Sequence, residues 1–132
     1  MFASNAYDYI NVLDKAADAS WQRQELITNN IANQDTPGYK RQDIDFESQL
    51  QQAMRHSRYK SIDERVAGLN NNLSRLNGRQ YTDYAGYSYR LDKNNVDPEQ
   101  EQVILAANQI KYEGLINSLT SEFMNLQSVM KG

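Results

Sequence analysis

The chain has 132 residues, 39% of them apolar, and a formal net charge of −3, which allows one modest domain and is short for two. It contains no cysteine, which excludes a disulfide framework and a thiolate metal site, and no run of 18 apolar residues offers a membrane span. Charge is segregated, with net −3 over residues 1–35, +3 over 36–95 and −3 over 96–132, but the basic excess is small, acids interrupt it and no nucleic-acid fold signature accompanies it.

The first segment, Met1-Phe2-Ala3-Ser4-Asn5-Ala6-Tyr7-Asp8, lacks the basic and apolar regions of a cleaved secretory signal, so none is expected. Ile10, Leu13, Ala17, Ser20, Gln24, Ile27 and Ile31 then alternate spacings of three and four, the seam of a coiled coil. A helix over residues 5–33 would be about 43 Å long. Its seam is weak in the middle, where Ala17, Ser20 and Gln24 stand in place of leucines that would each contribute about 1.5–3 kcal/mol on burial. The missing burial must come from the middle of the chain or, the reading preferred here, from other copies. Trp21 sits one position off this seam and reads as an anchor against a neighbour or the middle segment.

Next comes Asn29-Asn30-Ile31-Ala32-Asn33-Gln34-Asp35-Thr36-Pro37-Gly38-Tyr39-Lys40. Asn33 is placed to end the helix as a left-handed cap. Thr36-Pro37-Gly38-Tyr39 fits a type II turn, with proline presetting φ at the second position and glycine taking positive φ at the third.

In the middle, Ile44, Phe46, Leu50, Ala53 and Met54 predict a short helix from about Glu47 to Arg58. Val66, Leu69, Leu73 and Leu76 repeat at helical spacing, though Gly68 and Asn70-Asn71-Asn72 weaken that stretch. Tyr81, Tyr84, Tyr87 and Tyr89 around Gly86 are β-favouring and could pair as a small ribbon.

A second long helix opens at Asp97, an N-cap, with Pro98 at N1 and Gln100 at N3 to complete a capping box. Leu105, Gln109, Tyr112, Ile116, Leu119, Phe123, Leu126 and Met130 then alternate four and three as its predicted seam. The residues thus predict a mainly α chain of two long terminal helices, residues 1–35 and 96–132, packed as a coiled coil. A small, largely irregular middle segment, residues 36–95, would lie outside the pair.

Catalytic chemistry finds no support in these residues. His56, the single histidine, lies in the basic run Arg55-His56-Ser57-Arg58-Tyr59-Lys60, with no nucleophile or orienting acid to join it. Neither an EF-hand pattern nor a glycine-rich phosphate loop occurs, so no metal or cofactor is expected. Nine tyrosines suit protein interfaces, since each joins apolar area to a hydrogen-bonding tip. The 14 Asn and 12 Gln likewise suit polar contacts between packed copies.

As a whole string, Asn-Asn-Ile-Ala-Asn-x-x-Thr-Pro-Gly-Tyr-Lys resembles the N-terminal signature of bacterial flagellar rod, hook and hook-associated proteins. Asn94-Asn95-Val96-Asp97, and a following helix with Asn108-Gln109-Ile110-Lys111-Tyr112, look like the C-terminal half of the short rod proteins. Asp43-Ile44-Asp45-Phe46 is most similar to the proximal members. The resemblance implies a structural, non-enzymatic subunit of the basal-body rod whose terminal helices polymerise into a hollow shaft. That shaft would carry torque and pass exported subunits. It also implies export by the flagellar type III apparatus to the periplasmic side. Neighbours would be other copies, sibling rod proteins, and adapter, MS-ring or export-gate components at the rod base. The competing expectation is a soluble helical-hairpin cargo or regulator that binds one partner.

Overall fold

The computed structural model describes residues 2–55, 61–84 and 92–131, with side chains from Ala6 onward. Two helices dominate it, α1 (Phe2–Ala32) and α4 (Pro98–Lys131), about 46 and 51 Å long at 1.5 Å per residue. They pack on each other along their length. Between them lie β1 (Gln42–Asp45), α2 (Glu47–Arg55), α3 (Ile62–Asn70), a 3-10 turn at Leu73–Arg75, and β2 (Arg79–Thr82).

On α1 the predicted seam faces α4 or the interior. Ile10, Ala17, Ser20 and Ile27 are buried, and Leu13, Gln24 and Ile31 are half-buried. On α4 the seam is rotated from its expected place. Leu105, Tyr112, Leu119 and Leu126 are half-buried or buried as expected. Ile116, Phe123 and Met130, predicted to pack with them, are 38%, 53% and 73% exposed, and Gln109 is exposed too. Their places are taken by Glu101 and Asn108, both 1% exposed, and by Leu115 and Glu122, half-buried. The exchange has a chemical reason. Glu101 and Asn108 each find hydrogen-bonding partners across the pair, and a buried polar side chain so satisfied can displace an apolar one.

The middle segment does not stand apart from the pair. Phe46, Leu69 and Leu76 bury themselves with Ala19, and Val12, Ala16, Leu50, Ala53 and Met54 pack around them. This small core on the back of α1 supplies from within the chain part of the burial that the weak first seam lacks. Polar stitches extend it: Tyr9 donates to Asp63 at 2.6 Å, and Asn11 donates to Asn70 at 2.7 Å.

Strand β1 pairs antiparallel with β2, placing Gln42 opposite Thr82 and Ile44 opposite Gln80. The ribbon therefore joins the segment after the turn to the start of the tyrosine cluster. Tyr87, Tyr89 and Gly86 lie outside the described residues, as do His56 and the predicted end of the middle helix at Arg58.

Candidate functional site

The two sequence motifs meet where α1 ends and α4 begins. Helix α1 does not finish on a left-handed asparagine, for among described residues other than glycine only Lys93 has positive φ. Asn33 instead turns its side chain back, donating to the Asn29 carbonyl at 2.8 Å, and so satisfies one of the carbonyls left over at a helix end. Thr36 Oγ1 donates to the Asn33 side chain at 3.1 Å. The Tyr39 amide donates to the Thr36 carbonyl at 3.2 Å, and Gly38 has φ +74°, the geometry that a type II turn requires. Half-buried Ile31 and the exposed Ala32 and Pro37 complete the block.

Asn94 binds this turn from the other motif. It is fully buried, and its amide donates to the carbonyls of both Asn33 and Thr36 at 2.8 Å. Its oxygen accepts from the Val96 amide at 2.7 Å. Asn95 accepts from the Arg41 amide at 2.8 Å and donates to the Asp83 carbonyl at 2.5 Å. The Gly38 amide donates to the Asp92 carbonyl at 2.6 Å. Asp97 then opens α4, accepting from the Glu99 and Gln100 amides at 3.1 and 3.4 Å.

Asn30 is the hub on α1, also fully buried. Its oxygen accepts from the Gln42 amide at 2.9 Å and from the Tyr39 hydroxyl at 3.1 Å. Its amide donates to the Gln42 carbonyl at 2.8 Å and to Glu101 at 3.3 Å. Asn29 donates to the same Tyr39 hydroxyl at 3.0 Å. A buried Asn can be satisfied only where such partners are fixed, so Asn30 holds strand β1 at a set angle to both long helices.

Beside it sits a charge cluster that the motifs did not announce. Arg41 reaches Glu101 at 2.5 Å, Asp83 at 3.0 Å and Asp43 at 3.2 Å, and Arg23 of α1 pairs with Asp43 at 2.8 Å. Burial opposes the charge of Arg41, but the hydrogen bond and charge of Glu101, with help from Asp83 and Asp43, outweigh it and hold the guanidinium more firmly protonated than usual. Burial likewise opposes the charge of Asp43. The hydrogen bonds from Arg23 and the Ile44 amide, with both guanidinium charges, prevail and keep its carboxyl below the ordinary value. No spacing rule links Arg23, Arg41, Asp83 and Glu101; only the fold brings them together. The one signal for them in the sequence is Glu101, a carboxylate four residues before Leu105 and therefore on the same face of α4.

Of the predicted interface residues, the structure gathers Ile10, Leu13, Ala17, Ile27, Ile31, Leu105, Tyr112, Leu119 and Leu126 at the helix pair and leaves Ile116, Phe123 and Met130 outward. With Tyr7, Met124 and Leu126, the last two of these line an open apolar groove of about 760 Å³. Val103 and Ile110, 69% and 72% exposed, add apolar surface on another arc of α4. These exposed side chains give α4 more apolar surface than the helix pair itself covers. Among the described residues no helix is long and apolar enough to cross a membrane.

Comparison with known proteins places this geometry. Residues 10–40 match the family described as "Flagella basal body rod protein". Over 123 residues the chain is 33% identical to the flagellar basal body rod protein FlgB of Bacillus subtilis (strain 168), an alignment covering 93% of each. It is 34% identical over 123 residues to FlgB of Salmonella typhimurium, covering 84% of each. It is 32% identical over 117 residues to FlgB of Escherichia coli (strain K12), covering 83% of each.

Proposed function

The chain belongs to the FlgB-type flagellar basal body rod proteins, and from that premise we propose how it builds the rod. It is a structural subunit of the basal body. The α1–α4 hairpin, set at a fixed angle by the Asn30, Asn94 and Arg41 network, polymerises with its neighbours through the surfaces that the hairpin leaves open. The assembled helices form a hollow shaft that transmits torque and passes exported subunits, a role that requires no catalysis and no cofactor. The neighbours are other copies, sibling rod proteins, and the adapter, ring or export-gate components at the rod base, on the periplasmic side of the inner membrane. Within this reading residues 1–35 and 96–132 are the assembling helices and residues 36–95 their spacer.

The observation that carries the proposal is the apolar outward surface of α4. Ile116, Phe123, Met124 and Met130 are exposed beside a seam already closed by Leu119 and Leu126, so they are free to meet another subunit. Isolating basal bodies from a strain carrying Phe123→Asp tests it. The variant should be made and folded yet missing from the rod; normal incorporation would overturn assembly through this surface.

A further inference from the structure

Trp21, the single tryptophan, stands half out of the helix pair. It is 53% exposed while its ring packs on Tyr112 with centroids 5.7 Å apart and planes at 47°. With Gln24, Gln109 and Glu113 the two rings line an open groove of about 320 Å³. On α1, Asp18 stands three residues before Trp21 and Glu25 four after it, spacings that put side chains on one helix face, and both are exposed. An aromatic floor ringed by carboxylates and amides is the chemistry that receives a guanidinium. The cation lies against the ring, and its N–H groups find carboxylate oxygens.

A matching cation exists on this chain, but on the other side of it. The basic excess lies in residues 36–95, where Arg55, Arg75 and Arg79 are exposed. That segment docks on α1 through Val12, Ala16 and Ala19, which at about 100° per residue stand roughly opposite Trp21 around the helix. The cations near the groove are already engaged, Arg23 with Asp43 and Lys111 with Glu47. A second molecule can present its middle segment to this face directly, where the same molecule would have to wrap around its own helix.

We propose that the Trp21 groove receives an exposed arginine from the middle segment of a second copy of this chain. The inference rests on the rod-subunit reading and gives that polymer a direction. The outer face of one α1 meets the basic middle of the next, a head-to-tail contact that uses two different surfaces. Contacts of this kind propagate instead of closing on themselves as a two-fold dimer does.

The tryptophan reports on its own site. Raising the concentration of the purified full-length chain should produce self-association with a blue shift of Trp21 emission. The variant Arg55→Gln/Arg75→Gln/Arg79→Gln should keep its helical circular dichroism but lose the shift and associate at least about fivefold more weakly. Asp18→Lys/Glu25→Lys should fail to associate alone and recover when mixed with Arg55→Glu/Arg75→Glu/Arg79→Glu. Association without any change in emission, association of the arginine-free variant at wild-type strength, or no recovery in the mixture would each overturn the proposal while leaving the rod reading in place. A wild-type chain that stays monomeric at every concentration overturns it as well. Its presence in or absence from isolated basal bodies then decides whether the rod reading falls too.

Discussion

Ser20 and Asn108 bond to each other at 3.1 Å in the buried middle of the helix pair. Asn108 also donates to the Ser20 carbonyl at 2.9 Å and to Gln24 at 3.2 Å. A polar layer at a position where a coiled coil would hold leucine fixes register at a cost in stability. Ser20→Ala alone should therefore cost about 1–3 kcal/mol by orphaning a buried oxygen of Asn108. Ser20→Ala with Asn108→Leu should be neutral or stabilising, because both partners become apolar. Urea denaturation of the purified chains measures both, and a double variant weaker than the single would refute the assignment.

Arg41 is the cation that three carboxylates share. Arg41→Met should cost about 3–5 kcal/mol, since it leaves Glu101 buried without its charge partner. Arg41→Lys should not restore the loss, because an ammonium cannot fork to three acids as a guanidinium does. The urea midpoint is again the readout. A Lys variant indistinguishable from wild type would show that geometry at this position is not what matters.

Asp43 gives the junction a pH dependence of known sign. Its folded-state carboxyl lies below the ordinary 3.8, so the folded chain holds the proton less tightly than the unfolded one. Its contribution is then complete above that ordinary value and is lost as pH falls through the lower folded value. The stability difference between wild type and Asp43→Asn should be level from neutral pH down to about 4 and shrink below it. A difference that grew on acidification would contradict the pairing.

Gly38 holds φ +74° with open space where a Cβ would project, so substitution there is resisted by backbone strain and not by a clash. Gly38→Val should cost more than about 1 kcal/mol, and Gly38→Asn much less, since asparagine visits the left-handed region more easily. Strains carrying the Val variant should make the protein and lose motility. Wild-type swimming of that strain would show that the turn tolerates what its geometry should forbid.

The rotated seam separates folding from assembly. Leu119→Ala and Leu126→Ala should destabilise the isolated chain, the buried Leu126 by about 2–5 kcal/mol. Phe123→Ala and Met130→Ala should leave its unfolding midpoint within about 0.5 kcal/mol of wild type, as exposed positions do, while reducing incorporation into basal bodies. Equal destabilisation by both pairs would place Phe123 inside the monomer.

The long helices were legible because spacings of three and four persist over many turns, and the start of the second because Asp97-Pro98 has few other uses. The face of α4 was half legible. Leu105, Tyr112, Leu119 and Leu126 belong to two overlapping stripes, and apolarity favours the stripe with Ile116, Phe123 and Met130. Which stripe turns inward is decided by Asn30, Arg41 and Ser20, which lie 60 or more residues from their partners on α4 and leave no mark on its own sequence. The pairing of Gln42–Asp45 with Arg79–Thr82 was hidden for the same reason, being a long-range contact between segments with little alternation of their own.

The antiparallel β1–β2 pair and the Asp83–Asn95 bond clip the two ends of the middle segment together beside the helices. What lies between the clips is a closed loop, and the entropy of closing a loop rises only slowly with its length, by about 0.6 kcal/mol for each doubling. Residues added at an exposed point of that loop, such as Asn71-Asn72, therefore cost little so long as Phe46, Leu69 and Leu76 keep their packing on α1. A tag or a reporter inserted there would ride on the outside of the subunit while the hairpin keeps its register.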